Sequence, residues 1–171
     1  MAISAASVLL IEDDPNDILL MKRAMSKAGL PGIVNVAVDG EQAIAFLAGT
    51  SQGAAPEGLP PPSLVLLDLK LPKVSGLEVL AWLRAQPVLR RIPVIILTSS
   101  REEHDVTLAY DLGVNAYLLK PAAFSDLVIL MKKVGGFWLG ANIFPEVSRE
   151  DAGKGRTEPP PKRRVSDHAK A

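Results

Sequence analysis

The chain has 171 residues, 19 basic and 19 acidic side chains, 48% apolar residues and no cysteine. That length and apolar share suit one domain of ordinary size with a proper core and argue against a second. The balanced charge gives no global argument for a nucleic-acid or anionic-membrane partner, and the missing cysteines exclude disulfides and thiolate metal sites.

Taken along the chain, short apolar runs alternate with longer amphipathic segments, the pattern of an α/β fold with a parallel sheet. The first run predicts a strand over 7–12 that closes on Glu12, Asp13 and Asp14. Asp14 can cap a helix with Pro15 at its first position, and Ile18, Met21, Met25 and Ala28 form a stripe until Gly29 and Pro31 end it. A strand over 33–38 follows, and Asp39-Gly40 turns the chain into a helix over 41–48. The aperiodic Gly/Ala/Pro-rich stretch from Gly49 to Pro62 reads as a surface loop. A third strand over 63–68 ends on Asp68, and Ser75-Gly76 opens a helix over 77–86, stopped before Pro87. A strand over 92–97 runs into Thr98. Ser100 and Glu103 have capping-box spacing for a helix to about Leu112, ended by Gly113.

The last pair is a strand over 115–119 before Lys120-Pro121 and a helix from about Ser125 to Val134. Phe124, Leu127, Val128, Met131 and Val134 share one stripe of that helix. All five strand runs are continuously apolar, as when helices cover both faces of a sheet. The expected fold is flavodoxin-like: a doubly wound five-stranded parallel sheet in the order 2-1-3-4-5. From Pro145 the chain turns polar and aperiodic, so the expected division is a folded domain over 1–144 and a disordered tail over 145–171. The basic stretch Lys162-Arg163-Arg164 is expected to be solvated tail. No segment reads as a signal peptide or membrane span, and a cytoplasmic location is expected.

In a parallel sheet the C-terminal ends of the strands share one edge, which gathers Glu12, Asp13, Asp68 and Lys120 into one crevice. A carboxylate at the mouth of a buried strand needs a cation to meet it, either a metal or a lysine. Carboxylates about 4 Å apart repel by roughly 4 kcal/mol per pair at an effective dielectric near 20, and a hard divalent ion such as Mg²⁺ relieves that. The plainer alternative for the acidic triplet is a solvated helix start with Asp14 as its cap.

The set Ile11-Glu12-Asp13-Asp14, Leu67-Asp68-Leu69-Lys70-Leu71-Pro72, Leu97-Thr98-Ser99 and Leu119-Lys120-Pro121, each closing an expected strand in order, closely resembles the receiver domain of two-component response regulators. The resemblance covers residues 7 to about 135. It implies that Asp68 is the phosphoacceptor and that Glu12, Asp13, Asp68 and the backbone carbonyl of Lys70 hold Mg²⁺. Thr98 would be the switch hydroxyl, Tyr117 the switch aromatic, Lys120 the lysine that meets the phosphoryl group, and Pro121 a proline after a cis bond. It further implies a partner histidine kinase, with onward transfer to a histidine phosphotransfer protein as a further step, and catalysis only of the domain's own phosphorylation and dephosphorylation.

Gly136-Phe137-Trp138-Leu139, Ile143-Phe144-Pro145, the Pro-containing loop before the third strand and Leu89-Arg90-Arg91-Ile92-Pro93 are similar to the single-domain regulators associated with bacterial phytochromes. That subgroup implies a homodimer through residues 101–144. Three other readings compete. An aspartyl-phosphate phosphohydrolase would place an acid where Lys70 stands. A flavin or nucleotide module would have a glycine-rich first turn where this chain has acids. A phosphorylation-independent scaffold would not need the acid, threonine and lysine set.

Overall fold

Five parallel strands lie in the order β2-β1-β3-β4-β5, as expected: β1 (Ser7–Ile11), β2 (Ile33–Ala37), β3 (Leu64–Leu67), β4 (Val94–Thr98) and β5 (Ala116–Leu119). The computed structural model describes residues 6–30, 32–50, 61–145 and 147. The middle of the loop expected over Gly49–Pro62, and all of the expected tail but Pro145 and Val147, lie outside the described residues.

Side-chain alternation along the strands divides the core into two layers. Leu9, Ile11, Val65, Leu67 and Ile96 face α2 (Gly40–Ala48), α3 (Gly76–Ala85) and α4 (Glu103–Asp111). Val8, Leu10, Leu64, Leu66, Ile95 and Leu97 face α1 (Pro15–Lys27) and α5 (Phe124–Val134). β1, β3 and β4 are buried on both faces, which explains their unbroken apolar runs; β2 and β5, at the edges, are only partly covered.

Asp14 caps α1 by accepting from the amides of Asn16 and Asp17 at 2.7 and 3.0 Å, with Pro15 at the first helical position. The Ser100–Glu103 capping box does not form. The Ser100 hydroxyl instead donates to Asp105 at 2.7 Å, and α4 starts after Glu102 without a side-chain cap. The capping box stands on α3, where the Ser75 amide donates to the Glu78 carboxylate at 2.9 Å and the Glu78 amide to the Ser75 hydroxyl at 3.3 Å.

Two close approaches fix the loop after β3. A Cβ on Gly76 would stand 2.2 Å from the Asp68 carbonyl oxygen, and one on Gly40 2.1 Å from the Val74 carbonyl oxygen, so only glycine fits either place. Between them Lys73 adopts φ 65°, and its ammonium donates to Asp39 at 2.7 Å.

At the C-terminal end Gly135-Gly136 does not break the helix. The chain continues α5 through a π-helical segment over Gly135–Ala141, where buried Gly135 leaves room for Leu30. Trp138 and Leu139 pack back on the α1–α5 layer, while Ile129, Phe137 and Ile143 remain 51, 57 and 91% exposed. Among the described residues no helix is long and apolar enough to cross a membrane.

Candidate functional site

The crevice is built by backbone pairing before any side chain is considered. Ile11 lies beside Leu67 in the sheet, and the Asp68 amide donates to the Ile11 carbonyl at 3.0 Å, so Glu12 and Asp68 emerge side by side. On the other flank Thr98 pairs with Leu119, and the Lys120 amide donates to the Thr98 carbonyl at 2.9 Å. The ends of β1, β3, β4 and β5 thus meet at one edge.

The side chains converge there. Carboxylate oxygens of Glu12, Asp13 and Asp68 all lie within 4.8 Å of one another. Glu12 and Asp68 are buried, at 2 and 8% exposure, whereas Asp13 is exposed at the rim. The Lys120 ammonium stands 2.5 Å from Glu12 Oε2, 2.8 Å from Asp17 Oδ2 and 3.5 Å from Asp68 Oδ2. Asp68 Oδ1 accepts from the Leu69 amide at 2.8 Å, and Glu12 Oε1 from the Asp14 amide at 3.2 Å.

Electrostatics follow from this crowding. Burial pushes the Glu12 carboxyl above its usual range, outweighing the hydrogen bond and charge of Lys120 that pull the other way. Burial alone would depress Lys120. The hydrogen bonds to Asp17 and Glu12, with the charges of Asp68 and Glu12, outweigh it, so the ammonium is held above its ordinary value and stays charged. Lys120 meets two members of the cluster, Glu12 and Asp68, together with Asp17 outside it. This all-oxygen donor set, with an open rim at Asp13, fits a hard divalent cation.

Thr98 is fully buried at the end of β4, and its hydroxyl oxygen accepts from the Ser100 amide at 3.2 Å. Tyr117 on β5 is partly buried, and its hydroxyl donates to the Ser100 carbonyl at 3.1 Å. Burial raises the Tyr117 pKa despite that bond, which keeps the phenol neutral. Ser100 therefore links the two residues expected to switch together. Lys70 is exposed in the loop after Asp68.

Pro121 requires a correction: the described residues contain no cis peptide bond, so Lys120-Pro121 is trans. Trans is the intrinsic preference of an X–Pro amide by about 0.5–1 kcal/mol, and Lys120 meets its three acids without the other isomer. The sequence gives no sign of Asp17, because an acid in the first turn of a helix is ordinarily explained by the helix dipole. The capping-box spacing likewise hides the part that Ser100 plays between Thr98 and Tyr117.

Comparison with known proteins fits this geometry. Residues 8–132 match the family model described as the response regulator receiver domain. Response regulator Rcp1 of Synechocystis sp. is 39% identical over 138 residues, 81% of this chain and 92% of that protein; a structure of its Mn²⁺-bound form superposes with TM-score 0.74. The probable methanogenesis regulatory protein FilR2 of Methanothrix harundinacea is also 39% identical, over 81% of this chain and 86% of its own length. The phosphorylated cyanobacterial phytochrome response regulator RcpA superposes with TM-score 0.77 at 37% identity, covering 84% of this chain and all of that one.

Proposed function

Because the chain belongs to the response regulator receiver domain family, we propose that it is a phosphoryl-accepting switch in which Asp68 takes a phosphoryl group from a sensor histidine kinase. Glu12, Asp13 and Asp68, with the backbone carbonyl of Lys70, would hold Mg²⁺. The observation that carries this reading is the meeting of three clustered carboxylates and the Lys120 ammonium at the end of β3.

Asp68 supplies the nucleophile. One of its oxygens attacks phosphorus in line, the bond to the donor's histidine nitrogen breaks, and an acyl phosphate remains on the side chain. Asp68 Oδ1 is oriented by the Leu69 amide, while Oδ2 faces Lys120 and the acidic cluster. Bound Mg²⁺ would neutralise charge on the carboxylates and on the incoming phosphoryl oxygens. Lys120, held charged, adds a second positive charge from the β5 side.

The added phosphoryl oxygens give the Thr98 hydroxyl an acceptor stronger than its present role offers, and Ser100 passes a shift of Thr98 to Tyr117. Turning a 1:99 equilibrium into 99:1 takes about 5.5 kcal/mol, within reach of a few charge-assisted hydrogen bonds. The readout surface is residues 101–135. Exposed Ile129, Phe137 and Ile143 support a homodimer through residues 101–144. Similarity to phytochrome response regulators supports a phytochrome as the sensor, and onward transfer to a histidine phosphotransfer protein uses the same acyl phosphate.

Phosphotransfer from purified histidine kinases, a bacteriophytochrome among them, tests this reading. Wild-type protein takes the label and Asp68→Asn does not. Label that persists in Asp68→Asn contradicts the assignment, and a wild type that takes none from any donor while still binding partners favours a scaffold.

A further inference from the structure

Lys120 carries three N–H donors, and two carboxylates from different parts of the chain claim them at hydrogen-bonding distance: Glu12 at the end of β1 and Asp17 on the first turn of α1. Glu12 belongs to the acidic cluster; Asp17 does not. Asp17 is also fixed in place, since its amide donates to the capping carboxylate of Asp14 and Pro15 sets the turn. The lysine stem is largely enclosed, with 16% of the side chain exposed, so the ammonium has little freedom to seek other partners.

We propose that Asp17 is the positioning residue of Lys120, keeping the ammonium beside Asp68 when a divalent cation claims the Glu12 carboxylate; the inference rests on the phosphoryl-acceptor reading. A cation bound by Glu12, Asp13 and Asp68 competes with Lys120 for Glu12 and repels it. With Glu12 as its sole anchor, the lysine would be driven away when it is needed. Asp17 provides an acceptor outside the cluster, 2.8 Å from Nζ, while Asp68 Oδ2 stays 3.5 Å away. Metal and ammonium can then flank Asp68 together. Asp17 touches neither the acceptor nor the phosphoryl group and acts only through Lys120.

The test is a double-mutant cycle on the full chain with Asp17→Asn and Lys120→Met, read by Mg²⁺ calorimetry and by uptake of label from acetyl phosphate. In the presence of Lys120, Asp17→Asn is expected to weaken Mg²⁺ binding and slow uptake by roughly three- to tenfold, the effect of one partly exposed charge-assisted hydrogen bond. In the Lys120→Met background the same change should have little effect. Equal losses in both backgrounds would mean that Asp17 contributes only its field, and no loss in either would mean no role; both overturn the proposal. Should Lys120→Met fail to fold, the ammonium resonance of Lys120 decides. It stays protected from water exchange at saturating Mg²⁺ in the wild type and loses protection in Asp17→Asn, whereas protection in both variants, or in neither, overturns the proposal. Absence of label on the wild type would refute the acceptor reading itself, while calorimetry and the lysine resonance still judge Asp17.

Discussion

Asp39 shows how a side chain away from the chemistry supports the loop that carries it. Its carboxylate caps α2 through the Gln42 amide at 2.7 Å and accepts from the Lys73 ammonium, tying the turn after β2 to the loop after Asp68. Burial alone would raise its pKa, but the hydrogen bonds from Lys73 and the Gln42 amide win and hold it below 3.8. A lowered folded-state value means that its stabilisation is complete above the unfolded value of 3.8 and is lost as the pH falls through the folded one. Urea titrations should therefore find the stability gap between wild type and Asp39→Asn widest near neutrality and closing below pH 3.8. A gap that does not change with pH contradicts the ion-pair account. Glu12, whose pKa is raised, titrates with the opposite sign: its burial destabilises above its folded value and is relieved by protonation. Acids that end apolar runs are legible in the sequence because each sits where a strand stops. The roles of Asp39 and Asp17 are not, because their partners, Lys73 and Lys120, lie 34 and 103 residues away.

Elements are readable where a signal has no competitor. Asp14-Pro15 caps α1 as its residues suggest, and every expected strand forms with its ends within two positions of those expected. The capping box expected at Ser100 fails because that residue has other partners: Asp105 draws its hydroxyl, and its backbone serves Thr98 and Tyr117. At Ser75 both the amide and the hydroxyl donate to the Glu78 carboxylate, and the Glu78 amide donates back to the hydroxyl, so the reciprocal bonds form. Ser75→Ala should thus cost about 1 kcal/mol in chemical denaturation, and Ser100→Ala should not shorten α4 by helix-sensitive exchange measurements. A loss at Ser75 near zero would show that packing around Gly76 alone fixes the start of α3. The trans Lys120-Pro121 bond departs from the family expectation, and no feature of the residues themselves distinguishes the isomers.

Across the whole molecule the two-layer core follows from strand alternation, which is why fold class can be read from a pattern of apolar runs, while the strand order is expected from the fold type that five such strands suit. The fate of the apolar C-terminal extension cannot be read from such a pattern, since covering its own domain and covering a partner demand the same residues. In the fold its apolar side chains part ways, with Trp138 and Leu139 returning to the α1–α5 layer while Phe137 and Ile143 stay outside, as does Ile129 on α5. Light scattering at tens of micromolar should give a dimer mass that Ile129→Lys with Phe137→Ser reduces to a monomer. A monomeric wild type, with and without an acyl-phosphate mimic, contradicts the dimer. Everything proposed for the chain rests on Asp68 being the group that the acidic cluster and Lys120 serve. The most direct measurement is intact-mass and peptide-mapping spectrometry after incubation with acetyl phosphate, with Mg²⁺ or with a chelator. One Mg²⁺-dependent phosphoryl group on the Asp68 peptide is the predicted result; modification elsewhere, or at Asp68 to the same extent in chelator, would contradict it.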